Sequence, residues 1–277
     1  MLINFSLNVN KSKCMLFHYK QKPIEVYPYI HINGKPLSFV QHFKFLGIYI
    51  DDTLSWGHHI NYIGNKLARV NGILCKLKHF FPKNILIMIY NSLFLSHINY
   101  GITCWGFGIC NRLKVLQKCA IRNINKSSVR SHSLPNFKSL NMLMFGDIFD
   151  LACLKFFYKH QNNKVPKYFL KDQFIQRYHP IRNNLRSTKP AVFTDYVTET
   201  VNYRPTFYVP KLKRIFSENR LSFRIIKLIN NNIFPSCIIE KIRSHSMSGF
   251  SNYFRKYIVN NYDATCHITN CFICQNL

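Results

Sequence analysis

The stretch over residues 43–106 constrains the fold more than any other part of this sequence. It opens with aromatic and β-branched residues that alternate over 44–50, a pattern typical of a strand. The acidic pair Asp51-Asp52 follows at once, and aspartates at such a point favour a turn. Ser55 then offers a hydroxyl that can cap a helix. This order predicts a strand that turns directly into a helix.

Two helices are predicted beyond this turn. Apolar residues at helical spacing form one stripe and predict a long amphipathic helix over 56–80. Pro82 ends that helix, because proline cannot donate the backbone hydrogen bond that a helix interior needs. A second and more apolar helix is predicted over 84–99.

The dipeptide Asn33-Gly34 lies between two apolar runs and predicts a hairpin, because both residues tolerate positive φ. Together with extended segments at 14–18 and 44–50, it predicts a small antiparallel sheet over roughly residues 13–51. The expected fold class is therefore α+β, in which a small N-terminal antiparallel sheet is followed by a mainly α-helical region.

The charge of the chain indicates its partner. Lysine and arginine number 38 against 11 acidic residues, so the formal net charge is +27. This is far more than solubility requires, and it favours a polyanion such as nucleic acid. The alternative is a protein that is merely basic.

Two rows of basic side chains on the predicted helices could contact such a partner. The first row falls within roughly an 80° sector beside the apolar stripe of its helix. The second repeats at i, i+4 and i+8, where repulsion is tolerable if an anion lies along it. The alternative for both rows is a solvated surface. The rows are Lys66, Arg69 and Lys76 in the first helix, and Lys114, Lys118 and Arg122 in a third predicted helix.

The cysteines and the N-terminus indicate an intracellular protein. The chain has 10 cysteines, most of them inside apolar or helical runs, and no secretory signal pattern precedes them. Reduced thiols in the nucleus or cytoplasm, and no secretion, are therefore expected. The apolar run 85–102 contains Asn91 and His97, which would be costly in hydrocarbon, so a buried helix is predicted there and no membrane partner.

The C-terminal tail carries a weak zinc candidate formed by Cys266, Cys271 and Cys274. With His267 the tail has enough ligands for a tetrahedral ion. However, the adjacent residues Cys266 and His267 would not easily bind one ion together. High-affinity zinc binding is therefore not expected, and three free thiols are the alternative.

A series of short motifs in residues 43–106 resembles a known family. In order these are F-L-G, D-x-x-L-x-W, H-I, Y-x-x-L and Y-G-x-x-x-W-G. Their order and spacing resemble the segment just after the polymerase palm in non-LTR (LINE-type) retrotransposon reverse transcriptases. The matching residues are Phe45, Leu46, Gly47, Asp51, Leu54, Trp56, His59, Ile60, Tyr90, Leu93, Tyr100, Gly101, Trp105 and Gly106.

The resemblance implies roles for several parts of the chain. Phe45, Leu46 and Gly47 would belong to the primer-grip strand, which holds the growing 3′ end. The basic helices over 56–125 would form the thumb, which grips an RNA template and a DNA primer, or their hybrid. The motif N-x-x-K-S implies that Lys11 assists the leaving pyrophosphate, since a nearby cation stabilises developing charge. The alternative for Lys11 is a solvated loop lysine.

The resemblance also implies three regions: the end of the palm at 1–55, a helical thumb at 56–125 and a basic C-terminal region at 126–277. The complete enzyme would use Mg²⁺ held by paired aspartates upstream of Lys11, and no such pair precedes Lys11 here. Asp51-Asp52 is interpreted as a turn. The expected function is therefore the template–primer-binding portion of a reverse transcriptase, inactive alone. A non-catalytic RNA- or DNA-binding module, or the product of a decayed element, are the alternatives.

Overall fold

The computed structural model describes residues 8–22, 24, 26–166, 176–177, 206–207, 221–230 and 238–262. The chain divides into two compact units, Met1–Ser127 and Ser128–Leu277. The described part has small antiparallel sheets near the N-terminus and mostly helices after them, which confirms the α+β class. The predicted division at 55/56 and 125/126 stays a prediction.

The strands of the first unit form two separate hairpins. Strands β1 (His31–Ile32) and β2 (Lys35–Pro36) pair across the predicted Asn-Gly turn. Strands β3 (His42–Phe45) and β4 (Ile48–Asp51) form the second hairpin. The predicted single sheet is therefore wrong, since each sheet has two strands and the segment at Cys14 joins only through an isolated bridge.

The predicted continuous strand over 44–50 is also wrong, because the chain reverses in its middle. Leu46 and Gly47 have φ values of 45° and 85°, so both adopt the left-handed conformation. Two consecutive residues of this kind make a tight turn whose twist suits a hairpin. The alternation of aromatic residues continues through the turn, so periodicity alone did not reveal it.

Helices make up the rest of the first unit. The long predicted helix is present as α1, and the apolar helix over 84–99 is present as a continuous helical segment with a π-helical middle. The bounds are α1 Gly57–Leu77, α2 Lys83–Ile89, the π-helical segment Tyr90–Leu95, α3 Ser96–Asn99, α4 Ile102–Trp105 and α5 Asn111–Asn125.

The core of the first unit lies between α1, the α2–α3 segment and α5. Leu67, Leu74 and Leu113 are fully buried there, and burial of each such side chain contributes about 1.5–3 kcal/mol. Helices α1 and α5 run parallel, because three hydrogen bonds join them in the same order along both. These bonds run from Arg112 to Asn65 (2.7 Å), from Asn71 to the Leu116 carbonyl (2.9 Å) and from Lys78 to Asn123 (3.3 Å).

The second unit packs α7 against α8 and α10. Tyr262 pins the end of α10 by accepting from the Met144 N–H (3.0 Å) and donating to Asp147. Two short strands of this unit pair with each other in antiparallel orientation. The bounds are α6 Ser133–Ser139, α7 Phe145–Gln161, β5 Gln176–Arg177, β6 Thr206–Phe207, α8 Leu221–Asn230, α9 Ile238–Ser244 and α10 Met247–Asn260.

Candidate nucleic-acid interface

The hairpin β3–β4 is fastened to the helices by the motif tyrosine that follows α3. The Tyr100 hydroxyl donates to the Leu46 carbonyl at 2.5 Å. A Cβ on Gly47 would lie 3.4 Å from the Tyr100 ring. The F-L-G and Y-G motifs, far apart in sequence, therefore meet at the hairpin turn. Phe45 and Leu46 are 55% and 74% exposed beside this contact.

Gly101 brings the next part of the motif series against the same hairpin. Its φ is +63°, and a Cβ there would lie 2.5 Å from Ile48 Cδ1, so no other residue fits without a shift. Trp105 is fully buried one turn later and donates its indole N–H to the Tyr100 carbonyl at 2.9 Å. These motif residues thus position the hairpin on the helices.

His59 forms the buried contact between β4 and α1. Its side chain is fully buried and packs edge-on against Trp105 with ring centroids 5.2 Å apart. The Tyr49 N–H donates to His59 Nδ1 at 3.3 Å, which requires an unprotonated Nδ1. Burial lowers the pKa of His59 to about 4, so the ring is neutral near pH 7.

Asp51 has the predicted turn role and holds the turn that precedes α1. One carboxylate oxygen accepts from the Ser55 hydroxyl and the other from the Trp56 N–H at 3.1 Å. Ser55 is not the N-cap residue of α1, which is Trp56, but its hydroxyl oxygen accepts from the Gly57 N–H at the start of the helix at 3.4 Å while its hydrogen is donated to Asp51. Trp56 precedes α1 in the left-handed conformation with φ 64°. The carboxylate stabilises this tight turn.

The acidic pair does not fit a magnesium site. Both Asp51 oxygens already accept hydrogen bonds from Ser55 and Trp56. Asp52 is directed elsewhere, with Oδ2 lying 3.5 Å from His18 Nε2. A metal clamp needs carboxylate oxygens that converge on one point, and these do not. Within the described ranges, no group of three or more metal-ligating side chains converges.

A cluster of lysines and tyrosines lies where the hairpin meets α1. Lys44 Nζ lies 3.3 Å from the Tyr62 hydroxyl, and Lys66 Nζ lies 4.7 Å from the centre of the same ring. Tyr49 packs edge-on against Tyr62 at 5.1 Å between centroids. We call Lys44, Tyr49, Tyr62 and Lys66 the lysine–tyrosine cluster. It places two ammonium groups on one aromatic surface.

The lysines of the lysine–tyrosine cluster contribute to the lowered pKa values of two nearby groups, Tyr62 and His97. The pKa of Tyr62 is lowered by its interactions with Lys66 and then Lys44, which favour the phenolate. The pKa of His97 on α3 is lowered by burial and then by the Lys66 charge. The described carboxylates of this unit, Asp51 and Asp52, are directed to other partners and do not neutralise the two lysines.

The first predicted row faces away from the α1–α5 contact. Arg69 lies about 160° around α1 from Asn71, the residue that reaches α5. Arg69 and Lys76 are exposed, whereas Lys66 is half-buried in the lysine–tyrosine cluster. All three residues share one side of the helix. Lys66 packs against Tyr62 there, whereas Arg69 and Lys76 extend into solvent.

The second predicted row lies on another surface. Lys114 and Lys118 are exposed on α5, and Arg122 is half-buried. Lys118 lies about 140° around the helix from Asn123, which contacts α1. Because each row is directed away from the other helix of the pair, the structure does not bring the two rows together into one continuous basic surface.

Lys11 is presented by a short helical turn, Val9–Lys11. The Asn8 side chain accepts from the Lys11 N–H at 3.3 Å, and the Ser12 hydroxyl donates to the Asn8 carbonyl at 3.0 Å. The asparagine and serine of the N-x-x-K-S motif thus shape the turn, which leaves the lysine side chain exposed. The leaving-group role of Lys11 stays a prediction.

Other predicted features lie outside this interface. The zinc candidate Cys266, Cys271 and Cys274 lies outside the described residues. Arg224 in the second unit is engaged by Asp150, with Nη2 lying 2.6 Å from Oδ1. Among the described residues, none of the helices has the length and apolar character needed to cross a membrane.

Three members of the lysine–tyrosine cluster were not predicted from the sequence: Lys44, Tyr49 and Tyr62. The i, i+4 spacing of Tyr62 and Lys66 was a usable signal, because such residues are neighbours on a helix surface. Lys44 comes from β3, and only the fold of the hairpin onto α1 brings it near. A search for basic rows within single helices could not find a cluster shared by two elements.

The chain is similar in sequence to one class of protein. The chain is distantly similar to the RNA-directed DNA polymerases of retrotransposons, which supports a relation to the reverse transcriptase family. It is 25% identical over 134 residues to the RNA-directed DNA polymerase from mobile element jockey of Drosophila melanogaster. It is 24% identical over 130 residues to the enzyme of the same description from Drosophila funebris.

These similarities cover part of each protein. Each match spans 44% of this chain and 14% of the relative. The chain therefore corresponds to about one seventh of the length of the curated relatives that it matches. No family model matches the chain, and no solved structure matches it.

Proposed function

We propose that this chain is the template–primer-binding portion of a retrotransposon reverse transcriptase. The observation that carries the proposal is the lysine–tyrosine cluster, in which Lys44 and Lys66 converge on Tyr62 without a described carboxylate. Phosphate oxygens complement such paired ammonium groups, and an aromatic face beside them can stack on a base. The net charge of +27 supports the same partner.

The partner would be an RNA template with its DNA primer, or an RNA–DNA hybrid. The hairpin residues Phe45, Leu46 and Gly47 would lie against the primer end, and Arg69 and Lys76 would extend the contact along α1. This assignment follows the similarity to the jockey polymerases and the position of the cluster at the base of the hairpin. Phosphate contacts of this kind fix position and carry little sequence information, so binding would be largely sequence-independent.

The salt dependence of hybrid binding tests the proposal. Affinity of the wild type for a short RNA–DNA hybrid, measured by fluorescence anisotropy between 50 and 300 mM salt, should fall steeply through counterion release. The double substitution Lys44→Gln/Lys66→Gln should flatten the log–log slope by roughly one unit for each lost phosphate contact. The matched control is Lys20→Gln/Lys22→Gln, which removes the same charge from an exposed turn.

The salt slopes of the two double variants distinguish a phosphate-binding site at the lysine–tyrosine cluster from general attraction by net charge. If the cluster binds phosphate, its double variant flattens the slope more than the Lys20/Lys22 variant does. Equal slopes in the two variants would contradict the proposal and favour non-specific attraction. The triple substitution Lys114→Ala/Lys118→Ala/Arg122→Ala examines the α5 row in the same assay, and its effect should add to that of the cluster because the surfaces are separate.

A non-catalytic nucleic-acid-binding module is the second candidate function. The charge and the cluster favour it equally, since neither needs polymerase chemistry. The two candidates differ in ligand preference. The polymerase portion should bind a hybrid with a recessed primer end more tightly than a blunt hybrid of equal length, because the hairpin would contact that end. A module that does not contact a primer end should bind the recessed and the blunt hybrid equally well.

A further inference from the structure

Two exposed cysteines lie within about one helical turn of the same level on the paired helices α1 and α5. The parallel register of these helices is fixed by the bonds from Asn71 to Leu116 and from Lys78 to Asn123. Cys75 lies between the two contact residues of α1 and Cys119 between those of α5. The three bonds between the helices pair positions that are 45 to 47 apart, so Cys75 lies level with positions 120–122, about 1.5–4.5 Å along the axis from Cys119.

Each of these cysteines belongs to the side of its helix that is directed toward the other. Cys75 follows Asn71 by four residues and precedes Lys78 by three, so it shares their side of α1. Cys119 Sγ lies 3.9 Å from Asn123 Nδ2, and the same Asn123 side chain accepts from Lys78 of α1. The contact chain from Cys119 through Asn123 to Lys78 therefore leads directly onto the helix that carries Cys75.

The remaining described cysteines lack this arrangement. Cys110 and Cys153 are buried, and burial raises the pKa of their thiols to about 11 and about 12, which disfavours the reactive thiolate. Cys104 is exposed on α4, and Cys14 is half-buried where it bridges Phe39, so both lie outside the contact between α1 and α5. Cys75 and Cys119 are both exposed, so an external reagent can reach them.

We propose that Cys75 and Cys119 form a reversible disulfide when the protein meets a low-molecular-weight disulfide such as oxidised glutathione. One cysteine thiolate attacks the glutathione disulfide, which gives a mixed disulfide and releases one glutathione thiolate. The second cysteine then attacks the protein sulfur of the mixed disulfide and releases the other glutathione. The two protein thiols lose two electrons and two protons, and one glutathione disulfide becomes two glutathione thiols.

The bond would fasten α1 to α5 across their exposed side. Cys75 and Cys119 are 44 positions apart, so the bond closes a loop that contains α2, α3 and α4. A cross-link of this length restricts the unfolded chain and stabilises the native pairing of the helices. The inference rests on the register of α1 and α5 and is independent of the proposed nucleic-acid function.

Peptide mapping of the full chain after oxidation tests the proposal. The protein is incubated at low concentration with oxidised glutathione, alkylated and digested without reductant, and analysed by mass spectrometry. The expected product is a linked pair of peptides that contain Cys75 and Cys119, with glutathione retained on Cys104. Glutathione retained on both Cys75 and Cys119, or a link from either of them to a different cysteine, would overturn the proposal.

Serine variants supply the matched controls. Cys75→Ser should leave glutathione on Cys119, and Cys119→Ser should leave it on Cys75, because each variant removes the attacking partner. Cys104→Ser should keep the linked peptides unchanged. The linked protein should also unfold at a midpoint about 5 °C or more above the reduced protein. An equal or lower midpoint would show that the bond forms only by distorting the two helices, which would overturn the inferred placement.

Discussion

At the residue scale, the short motifs of residues 43–106 mainly hold the hairpin β3–β4 on the helices. Tyr100, Gly101 and Trp105 hold the hairpin, and His59 seals its junction with α1. These residues were predicted as a series, but their contacts were not, because the decisive contact joins Tyr100 to Leu46 across 54 positions. Periodicity reports the local element, whereas long-range hydrogen bonds depend on how the elements meet.

Removal of one hydroxyl should measure the Tyr100 contact. The variant Tyr100→Phe keeps the ring against Gly47 and loses the bond to the Leu46 carbonyl. We expect a loss of about 0.5–1.5 kcal/mol in the free energy of unfolding, measured by urea denaturation. The control is Tyr29→Phe, at a tyrosine that is 94% exposed, which should change stability by less than that. Equal effects of the two variants would contradict the fastening role.

The buried His59 should make stability depend on pH. Its pKa is about 4 in the folded protein against 6.5 in the unfolded chain. Above pH 7 the imidazole is neutral in both states. As pH falls from 6.5 to 4 the unfolded state takes up the proton first, so stability decreases, by on the order of 3 kcal/mol in full.

The variant His59→Asn isolates this effect. Asparagine retains an acceptor for the Tyr49 N–H and has no titration in this range. The difference between wild type and variant, followed by urea denaturation from pH 8 to pH 4, should change between pH 6.5 and 4 and stay constant from pH 7 to 8. Parallel curves over the whole range would show that His59 takes up its proton at the same pH in the folded and unfolded states, which would contradict the burial of its ring.

At the element scale, helices were easier to predict than strands. The apolar stripe fixed α1 to within a few residues because a 21-residue helix repeats its pattern many times. The hairpin β3–β4 has four residues in each strand, and the same alternation continues through its turn. The left-handed conformation of Leu46 explains the failure, since a leucine gives no signal for positive φ.

The packing of the hairpin on the helices predicts a specific coupling between Gly101 and Ile48. Gly101→Ala should destabilise the protein by about 1–3 kcal/mol, because the added Cβ meets Ile48 Cδ1 at 2.5 Å and the backbone has φ +63°. Ile48→Val removes that Cδ1 atom. The cost of Gly101→Ala should therefore be smaller in the Ile48→Val background, as measured by a double-mutant cycle in urea.

Gly34→Ala provides the matched control for this cycle. Gly34 has φ +72° but no atom within 4 Å of the added Cβ, so its substitution costs backbone strain alone. If Gly101→Ala costs no more than Gly34→Ala, the contact with Ile48 contributes nothing and the coupling is absent. A cost at Gly101 that is unchanged by Ile48→Val would lead to the same conclusion.

At the scale of the whole molecule, the charge favours a nucleic-acid partner but does not indicate which surface would bind it. The excess of basic residues is visible in composition, and the rows on α1 and α5 follow from helical spacing. The rows lie on separate surfaces, and the convergent site joins Lys44 of the hairpin to Lys66 of α1. Spacing within one helix could not show this, because the site depends on contact between two elements.

The 277-residue polypeptide should not extend a primer by itself. Nucleotide addition needs two metal ions held by acidic side chains between the 3′ hydroxyl and the triphosphate. Before residue 147 the sequence has only Glu25, Asp51 and Asp52 as acids. Asp51 is committed to Ser55 and Trp56, and Asp52 lies against His18. The protein should therefore bind the hybrid without extending its primer.

The expected lack of polymerase activity is measured by primer extension on an RNA template with Mg²⁺ or Mn²⁺. The wild type should bind the template–primer and yield no extended product. The control is Asp51→Ala/Asp52→Ala, in protein purified in the same way. Extension by the wild type that disappears in the double variant would contradict both the expected inactivity and the turn role of the pair. Extension that persists equally in both proteins would identify a contaminating polymerase, because the described carboxylates of the first unit would then be dispensable for the activity.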